Sequence, residues 1–157
     1  MKKIVTLLVL VMALSSCSED ITRNSPSFQG LKNDVLWRSA GTTATFASNG
    51  VVTITGSRQL ETLILKTNSI TAQTYTLGTS GDRRAVFITN IDGEEITYST
   101  NVGRGDGQIT ITEYDAEAQT ISGTFRFNAV NDTDDTETDI LNFQSGVFYK
   151  VPIVPAQ

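Results

Sequence analysis

Short segments in which apolar and polar residues alternate follow one another from residue 35 onward, and they constrain the fold more than any other feature. In the segment 108–114, Ile109 and Ile111 alternate with threonines, so one face of the segment is apolar and the other is polar. Helical spacing of apolar residues is nearly absent, and the strongest helix candidate, 57–65, contains β-branched residues that favour strands. The pattern predicts an all-β protein.

Turn residues separate these segments. Asn49-Gly50 lies between two of them and predicts a hairpin with a type I′ turn, because this dipeptide accepts the positive φ angles that the turn requires. Asp92-Gly93 predicts a second hairpin, and Gly146 predicts a bulge or bend near the end of the chain. Short strands without intervening helices predict an antiparallel sandwich or a partly closed barrel of roughly 8–10 strands, and both alternatives stay open.

The first 16 residues have the layout of a secretory signal peptide. Lys2 and Lys3 form a positively charged start, and the apolar run 4–14 that follows is interrupted only by Thr6. This run is too short for a permanent membrane span, which takes ~20 apolar residues. We therefore expect cleavage rather than a retained transmembrane helix.

The segment Leu14-Ser15-Ser16-Cys17 resembles the lipobox of bacterial lipoproteins. The resemblance implies that the chain is cut before Cys17 and that the Cys17 thiol carries a diacylglycerol. Cys17 is the only cysteine in the sequence, whereas exported domains otherwise show paired cysteines or none. We predict that Cys17 is lipidated; the alternative is an ordinary secreted protein with a cysteine near its cleavage site.

Cleavage would divide the chain into a signal peptide, 1–16, a lipidated cysteine with a flexible tether, 17–33, and a single β-rich domain, 34–157. Removing residues 1–16 from the 157-residue chain leaves 141 residues, which suits one domain with its own core. Loss of Lys2 and Lys3 reduces the 12 basic residues to 10, against 17 acidic ones. A net charge of about −7 argues against a nucleic-acid partner.

Three residues directly after the lipidation site bear on the location of the protein. Ser18, Glu19 and Asp20 are similar to the acidic export signals of some Bacteroidota lipoproteins, which implies the outer face of the outer membrane. The alternative is a solvated spacer that leads into the tether. We expect lipid anchoring to the outer membrane, and both the periplasmic and the cell-surface face stay open.

Four segments of the mature chain carry a wider resemblance. They are Ser27-Phe28-Gln29-Gly30 leading to Trp37, 107–112 (GQITIT), 120–127 (TISGTFRF) and 145–148 (SGVF). Together they resemble an uncharacterised family of β-rich Bacteroidota lipoproteins, a domain of unknown function. The resemblance implies an origin and an envelope location, and it implies no activity.

The residue types available for catalysis are few. Histidine is absent, which removes the usual general base and the commonest transition-metal ligand, and an acylated Cys17 is no nucleophile. Glu94 and Glu95 are adjacent in a predicted turn and would point to opposite faces rather than act as an acid and base pair. A carboxylate dyad assembled from separate strands stays open as the route to an enzyme.

An acidic stretch between two predicted strands is the candidate metal site. Its carboxylates alternate with other residues at a density that suits Ca²⁺, although the spacing departs from that of an EF-hand loop. The alternative, which we favour, is a solvated hairpin loop whose charges discourage edge-to-edge association. The calcium candidates are Asp132, Asp134, Asp135, Glu137 and Asp139.

The tripeptide Arg104-Gly105-Asp106 is of the kind that integrins bind when a loop tip presents it. Glycines on both sides predict an exposed, flexible loop. A turn between strands requires the same residue types, and we favour that explanation.

These observations predict a lipid-anchored envelope protein without a resident cofactor and without enzyme activity. We expect a non-catalytic binding or scaffolding module that contacts the membrane through its lipid and an envelope protein or extracellular ligand through its loops. The alternative is a carboxylate-based hydrolase that acts on glycans. Trp37 and most other aromatic residues are expected in the core rather than on a sugar-stacking surface.

Overall fold

The computed structural model describes residues 25–134, 136 and 138–155, and every regular element in this part of the chain is a β-strand. The all-β prediction is confirmed. The described residues form 11 strands, slightly more than the roughly 8–10 expected for a sandwich or barrel of this size. The strands are β1 (Ser27–Lys32), β2 (Val35–Arg38), β3 (Gly41–Phe46), β4 (Val52–Arg58), β5 (Glu61–Thr67), β6 (Thr74–Leu77), β7 (Arg84–Ile91), β8 (Glu94–Ser99), β9 (Asp106–Asp115), β10 (Thr120–Asn131) and β11 (Ile140–Pro155).

All 11 strands join one mixed sheet that partly closes on itself. A ring of hydrogen-bonded neighbours runs through β3, β4, β5, β7, β8, β10 and β11, because β11 pairs with β10 and also with β3. β1 and β2 extend the sheet from β11, whereas β9 and β6 extend it from β10. The ring is not a clean barrel, but it agrees with the predicted partly closed barrel. One pairing, β3 with β11, is parallel.

Two-residue turns with two positive φ angles close two of the hairpins. Asp92 (φ 54°) and Gly93 (φ 87°) form the predicted turn between β7 and β8. Asn33 (φ 46°) and Asp34 (φ 65°) form a comparable turn between β1 and β2. Both pairs have the two positive φ angles of a type I′ turn, whose twist matches that of the strands it joins.

The turn between β3 and β4 differs from the prediction. Of its residues only Gly50 has a positive φ angle (90°), so the prediction of a type I′ turn at Asn49-Gly50 is wrong. The turn is one residue wider, and the Gly50 amide donates to the Ala47 carbonyl across 2.9 Å. A glycine with positive φ after a tight turn is the usual solution for a loop of this length.

Phenylalanine rings packed over glycines fill one side of the interior. Phe125 lies opposite Gly146, and Phe148 lies opposite Gly123, so that each ring covers a glycine on the neighbouring strand. A Cβ atom at either glycine would collide with the ring that covers it. Trp37 joins this cluster with 1% of its surface exposed, which confirms its predicted place in the core.

The domain begins earlier than predicted. β1 (Ser27–Lys32) pairs with both β2 and β11, and Phe28 is fully buried, so the boundary between tether and domain at residue 34 is wrong. The alternation pattern did not predict β1, because Gly30 occupies an inward position where the pattern requires an apolar side chain. Glycine fits tightly there, because a Cβ atom would lie 3.2 Å from the Cα atom of Gly146.

The last two predicted strands, 140–143 and 147–151, are one continuous strand, β11. A bulge divides it at Ser145, whose φ angle is 50°, directly before Gly146. The prediction of a bulge or bend at this point agrees with the structure. β11 pairs with β1 and β10 on both sides of this bulge, and its pairing with β3 begins only at Ile153.

Candidate ligand-binding groove

A groove crosses the outer face of β9, β10 and β11. Its larger part encloses about 490 Å³ and its smaller part about 320 Å³, and Gln108, Arg126 and Ser145 line both. Volumes of this size are typical of small-molecule sites. The residues that line the groove belong to strands, whereas the sequence analysis predicted binding through loops.

The groove lies where these strands are irregular. The pairing of β10 with β11 shifts register between Phe125 and Phe127, and the Ser145 bulge faces that shift. Bulges bend a strand and increase its twist. The outward side chains on the bent strands consequently line a concave surface rather than a flat one.

Three side chains form a hydrogen-bonded row across one end of the groove. Asn128 donates through Nδ2 to Oδ1 of Asp106 at 3.0 Å, and its own Oδ1 accepts from Nδ2 of Asn142 at 2.7 Å. The row follows the register of the sheet, because Asn128 pairs with Asp106 on β9 and with Asn142 on β11. We call Asp106, Asn128 and Asn142 the amide row.

A second row lies two residues further along the strands. Arg126 donates through Nη2 to Oε1 of Gln108 at 3.2 Å. Gln144 and Ser145 complete the lining on the β11 side, and both are exposed. Arg126 and Asp106 are the only charged residues among the described residues that line the groove, so its two formal charges cancel.

The smaller part of the groove is more apolar. Thr124 and Val147 face each other across β10 and β11 and line it, and 36% of the Val147 surface is exposed. Tyr149 lies two residues further along the same side of β11 with 41% of its surface exposed, and the Lys150 ammonium is 5.6 Å from its ring centre. The groove thus changes from polar to apolar along the strands.

The acidic loop between β10 and β11 is organised around one carboxylate. Asp134 accepts hydrogen bonds from the backbone amides of Thr136 (2.9 Å), Thr138 (2.8 Å) and Asp139 (2.7 Å), and from the Thr136 hydroxyl (2.5 Å). These donors, the Thr136 hydroxyl first among them, hold the pKa of Asp134 well below its ordinary value. Donors of the loop itself therefore already bind the Asp134 carboxylate oxygens that a cation would require.

The other described acidic residues of this loop have separate partners. Asp132 accepts from the Ser99 hydroxyl at 2.5 Å, and Asp139 accepts from the Tyr98 hydroxyl at 3.1 Å. Burial raises the pKa of the Tyr98 hydroxyl. The hydrogen bond to Asp139 and the negative charge of the Asp139 carboxylate raise that pKa further.

Among the described residues, no three carboxylate or cysteine side chains are grouped to hold a metal ion. Two of the five calcium candidates, Asp135 and Glu137, lie outside the described residues. The calcium hypothesis consequently stays a prediction.

The Arg104-Gly105-Asp106 tripeptide is folded against the sheet. Arg104 is half-buried, and its Nη2 donates to the carbonyls of Asn131 and Asp134, each at 3.1 Å. Gly105 packs against the Asn128 carbonyl, and Asp106 begins β9 within the amide row. This arrangement differs from the exposed flexible loop that the glycines predicted.

The remaining sequence candidates lie away from the groove. Glu94 and Glu95 start β8 and are both exposed. Cys17, the predicted lipidation site, lies outside the described residues. Within the part of the chain that the structure covers, no helix has the length and apolar character that a membrane crossing requires.

Comparison with protein families gives one match. The family model described as Domain of unknown function (DUF6252) matches residues 24–152, which include all of the strands except the end of β11. The chain belongs to this family. The resemblance to an uncharacterised domain family is thereby confirmed. No curated protein and no solved structure matches the chain.

The groove of this DUF6252 domain was missed in the sequence because its residues are far apart in the chain. Asp106, Asn128 and Asn142 each look like an ordinary polar position in an alternating strand. One signal was available: amide side chains recur at outward positions of the last strands, whereas threonine occupies the corresponding positions of β3 and β4. The signal becomes informative only when β9, β10 and β11 are known to be neighbours.

Proposed function

We propose that this protein is a non-catalytic binding module of the cell envelope and that its binding surface is the groove on β9, β10 and β11. The amide row is the observation that carries the proposal. Hydrogen bonds between the strands already hold these side chains in place, so binding a ligand would cost little additional side-chain entropy. Ordered polar groups beside an apolar area are the usual composition of a ligand site.

The carboxylates of the groove support binding over hydrolysis. Glycosidases use two carboxyl groups roughly 5–10 Å apart on either side of the scissile bond. Among the described residues that line the groove, Asp106 is the single carboxylate, and Asn128 occupies one of its oxygens. The glycan hydrolase alternative therefore has less support than the binding module.

The envelope location rests on the N-terminal sequence. A lipid on Cys17 would hold the module at the membrane through the residues that precede β1. Replacing Cys17 with serine should abolish incorporation of labelled fatty acid and release the protein from the membrane fraction. Unchanged fatty-acid labelling of the Cys17→Ser variant would contradict lipid anchoring at this residue.

The binding role can be tested in intact cells that produce the protein. A photo-crosslinking residue in place of Gln144 stands in the groove, and the same residue in place of Thr55 stands on the outer face of β4. We expect a discrete higher-mass adduct from position 144 and none from position 55. No adduct at position 144, or equal adducts at both positions, would contradict the groove as a binding surface.

A further inference from the structure

We infer that the groove binds a neutral oligosaccharide. The inference rests on the proposed binding role of the groove and adds the chemical class of the ligand. Four properties support it: the unused hydrogen-bonding capacity of the amide row, the balanced charge of the lining, the apolar end of the groove, and the pairing of the described strands on both of their edges there.

The amide row has donors and acceptors left for a ligand. A side-chain amide has two N–H donors and an oxygen with two lone pairs. Asn128 uses one donor toward Asp106 and one lone pair toward Asn142, so its second donor and second lone pair stay available. Each hydroxyl of a sugar is also both donor and acceptor, and adjacent hydroxyls match an amide that offers both functions side by side.

The charge of the groove favours a neutral ligand. The Arg126 guanidinium and the Asp106 carboxylate are the charged groups among its described lining residues, one of each sign. The whole chain has a formal net charge of −5, which opposes association with polyanions. A phosphate-rich or nucleic-acid ligand would meet one cation and a repulsive surrounding field.

The shape and apolar end of the groove suit linked sugar rings. From the amide row to the row that contains Thr124 and Val147 the strand advances four residues, or ~13 Å. Hydroxyls of a bound chain would face the amide row, and the apolar C–H face of a ring would pack on Val147. Tyr149, exposed on the same side of β11, extends this apolar surface.

An extended peptide is the main competitor, and the sheet disfavours it. Peptides commonly bind by adding a strand to an open sheet edge, where main-chain hydrogen bonds supply much of the affinity. At the groove β10 pairs with β9 and β11, β9 pairs also with β6, and β11 pairs also with β1. A peptide here would have side chains alone as hydrogen-bonding partners.

The test is a titration of the ¹⁵N-labelled full chain with cello-, manno-, xylo- and chito-oligosaccharides, each in a separate experiment. Side-chain amide signals of Gln108, Asn128, Asn142 and Gln144 report directly on the groove. We expect at least one oligosaccharide to shift these signals. The Asn128→Ala variant should weaken its binding at least about tenfold, while Thr55→Ala on the outer face of β4 should leave it within about twofold.

A second variant keeps the experiment decisive if Asn128→Ala folds poorly. Gln144 is exposed, and the Gln144→Ala variant should also weaken oligosaccharide binding without loss of the folded spectrum. Failure of all four sugar series would overturn the inference. A mixture of short neutral peptides that shifts the same amides would overturn it too, but would leave the binding role intact. The crosslinking experiment tests that role separately.

Discussion

The two sides of the sheet are built on the same alternation but differ in regularity. On the side of β3, β4, β5 and β7, which we call the regular half, the strands pair without a register shift. On the side of β1, β9, β10 and β11, which we call the irregular half, the pairings with β1 and with β10 are shifted at bulges. The groove is found in the irregular half.

The interior differs in the same way. Small and aliphatic side chains fill the core positions of the regular half, apart from Phe87 in β7. Five phenylalanines fill the interior of the irregular half, and glycines on neighbouring strands make room for several of them. Bulky rings over glycines require strands that bend and approach closely, whereas β-branched and aliphatic residues stack on a regular ladder. From this comparison we infer that the concave outer surface depends on the aromatic packing inside.

The strongest test of this difference removes one aromatic ring. Phe143 contacts the rings of Trp37, Phe87, Phe125 and Phe127, so Phe143→Ala should lower the free energy of unfolding by about 3–5 kcal/mol. Urea unfolding followed by circular dichroism measures the loss.

A smaller deletion in the regular half serves as the control for the groove, because it removes one methylene group rather than a ring. Ile54 is buried in β4, and Ile54→Val should cost about 0.5–1.5 kcal/mol by the same measurement. The NMR signals of the side-chain amides in the groove should shift in Phe143→Ala and stay unchanged in Ile54→Val. If these amide signals are unchanged in Phe143→Ala, the outer surface does not depend on the aromatic packing beneath it, and the inference from the comparison is wrong.

Adding one methyl group in the irregular half should have a smaller effect than Phe143→Ala. A Cβ atom at Gly123 in β10 would collide with the Thr110 carbonyl and the Phe148 ring, so Gly123→Ala should destabilise the protein by about 1–3 kcal/mol. Gly41→Ala in β3 is the control, because no atom of the described residues lies within 4 Å of the added atom. Thermal unfolding of both variants makes the comparison. Equal melting temperatures would mean that the irregular half tolerates overpacking as well as an open site does.

The regular features of this molecule could be predicted from its sequence. Alternation places the segment 108–114 in a strand, and it lies within β9. This inference works because a strand that is buried on one face repeats its chemistry every second residue. Trp37 is buried as expected, although its neighbours in the apolar run, Val35 and Leu36, are exposed.

The features that make the groove could not be predicted in the same way. β1 was missed because Gly30 satisfies a contact with β11, more than 100 residues away, at the cost of local alternation. The parallel pairing of β3 with β11 leaves no local signal either, because register across a sheet depends on partners and not on neighbours in the chain. The amide row depends on two such pairings at once, β10 with β9 and β10 with β11.

The smallest predicted effect concerns the loop that joins the two longest strands of the irregular half. Asp134 has a lowered pKa, so its hydrogen bonds are intact above the ordinary value of 3.8 and are lost as the pH falls through the lowered pKa. Amide exchange at Thr136, Thr138 and Asp139 should therefore stay slow down to about pH 4 and increase, relative to the intrinsic rate, in stronger acid.

The Asp134→Asn variant should show faster exchange at these three amides even at neutral pH, by several-fold, because a neutral amide oxygen is a weaker acceptor than a carboxylate. Asp92→Asn, in the exposed turn between β7 and β8 beside the regular half, should leave them unchanged. The groove amides should keep their wild-type signals in both variants, since Asp134 contacts the loop rather than the amide row. If Asp134→Asn shifts the signals of the groove amides, then the conformation of the irregular half depends on its loop as well as on the aromatic rings beneath the strands.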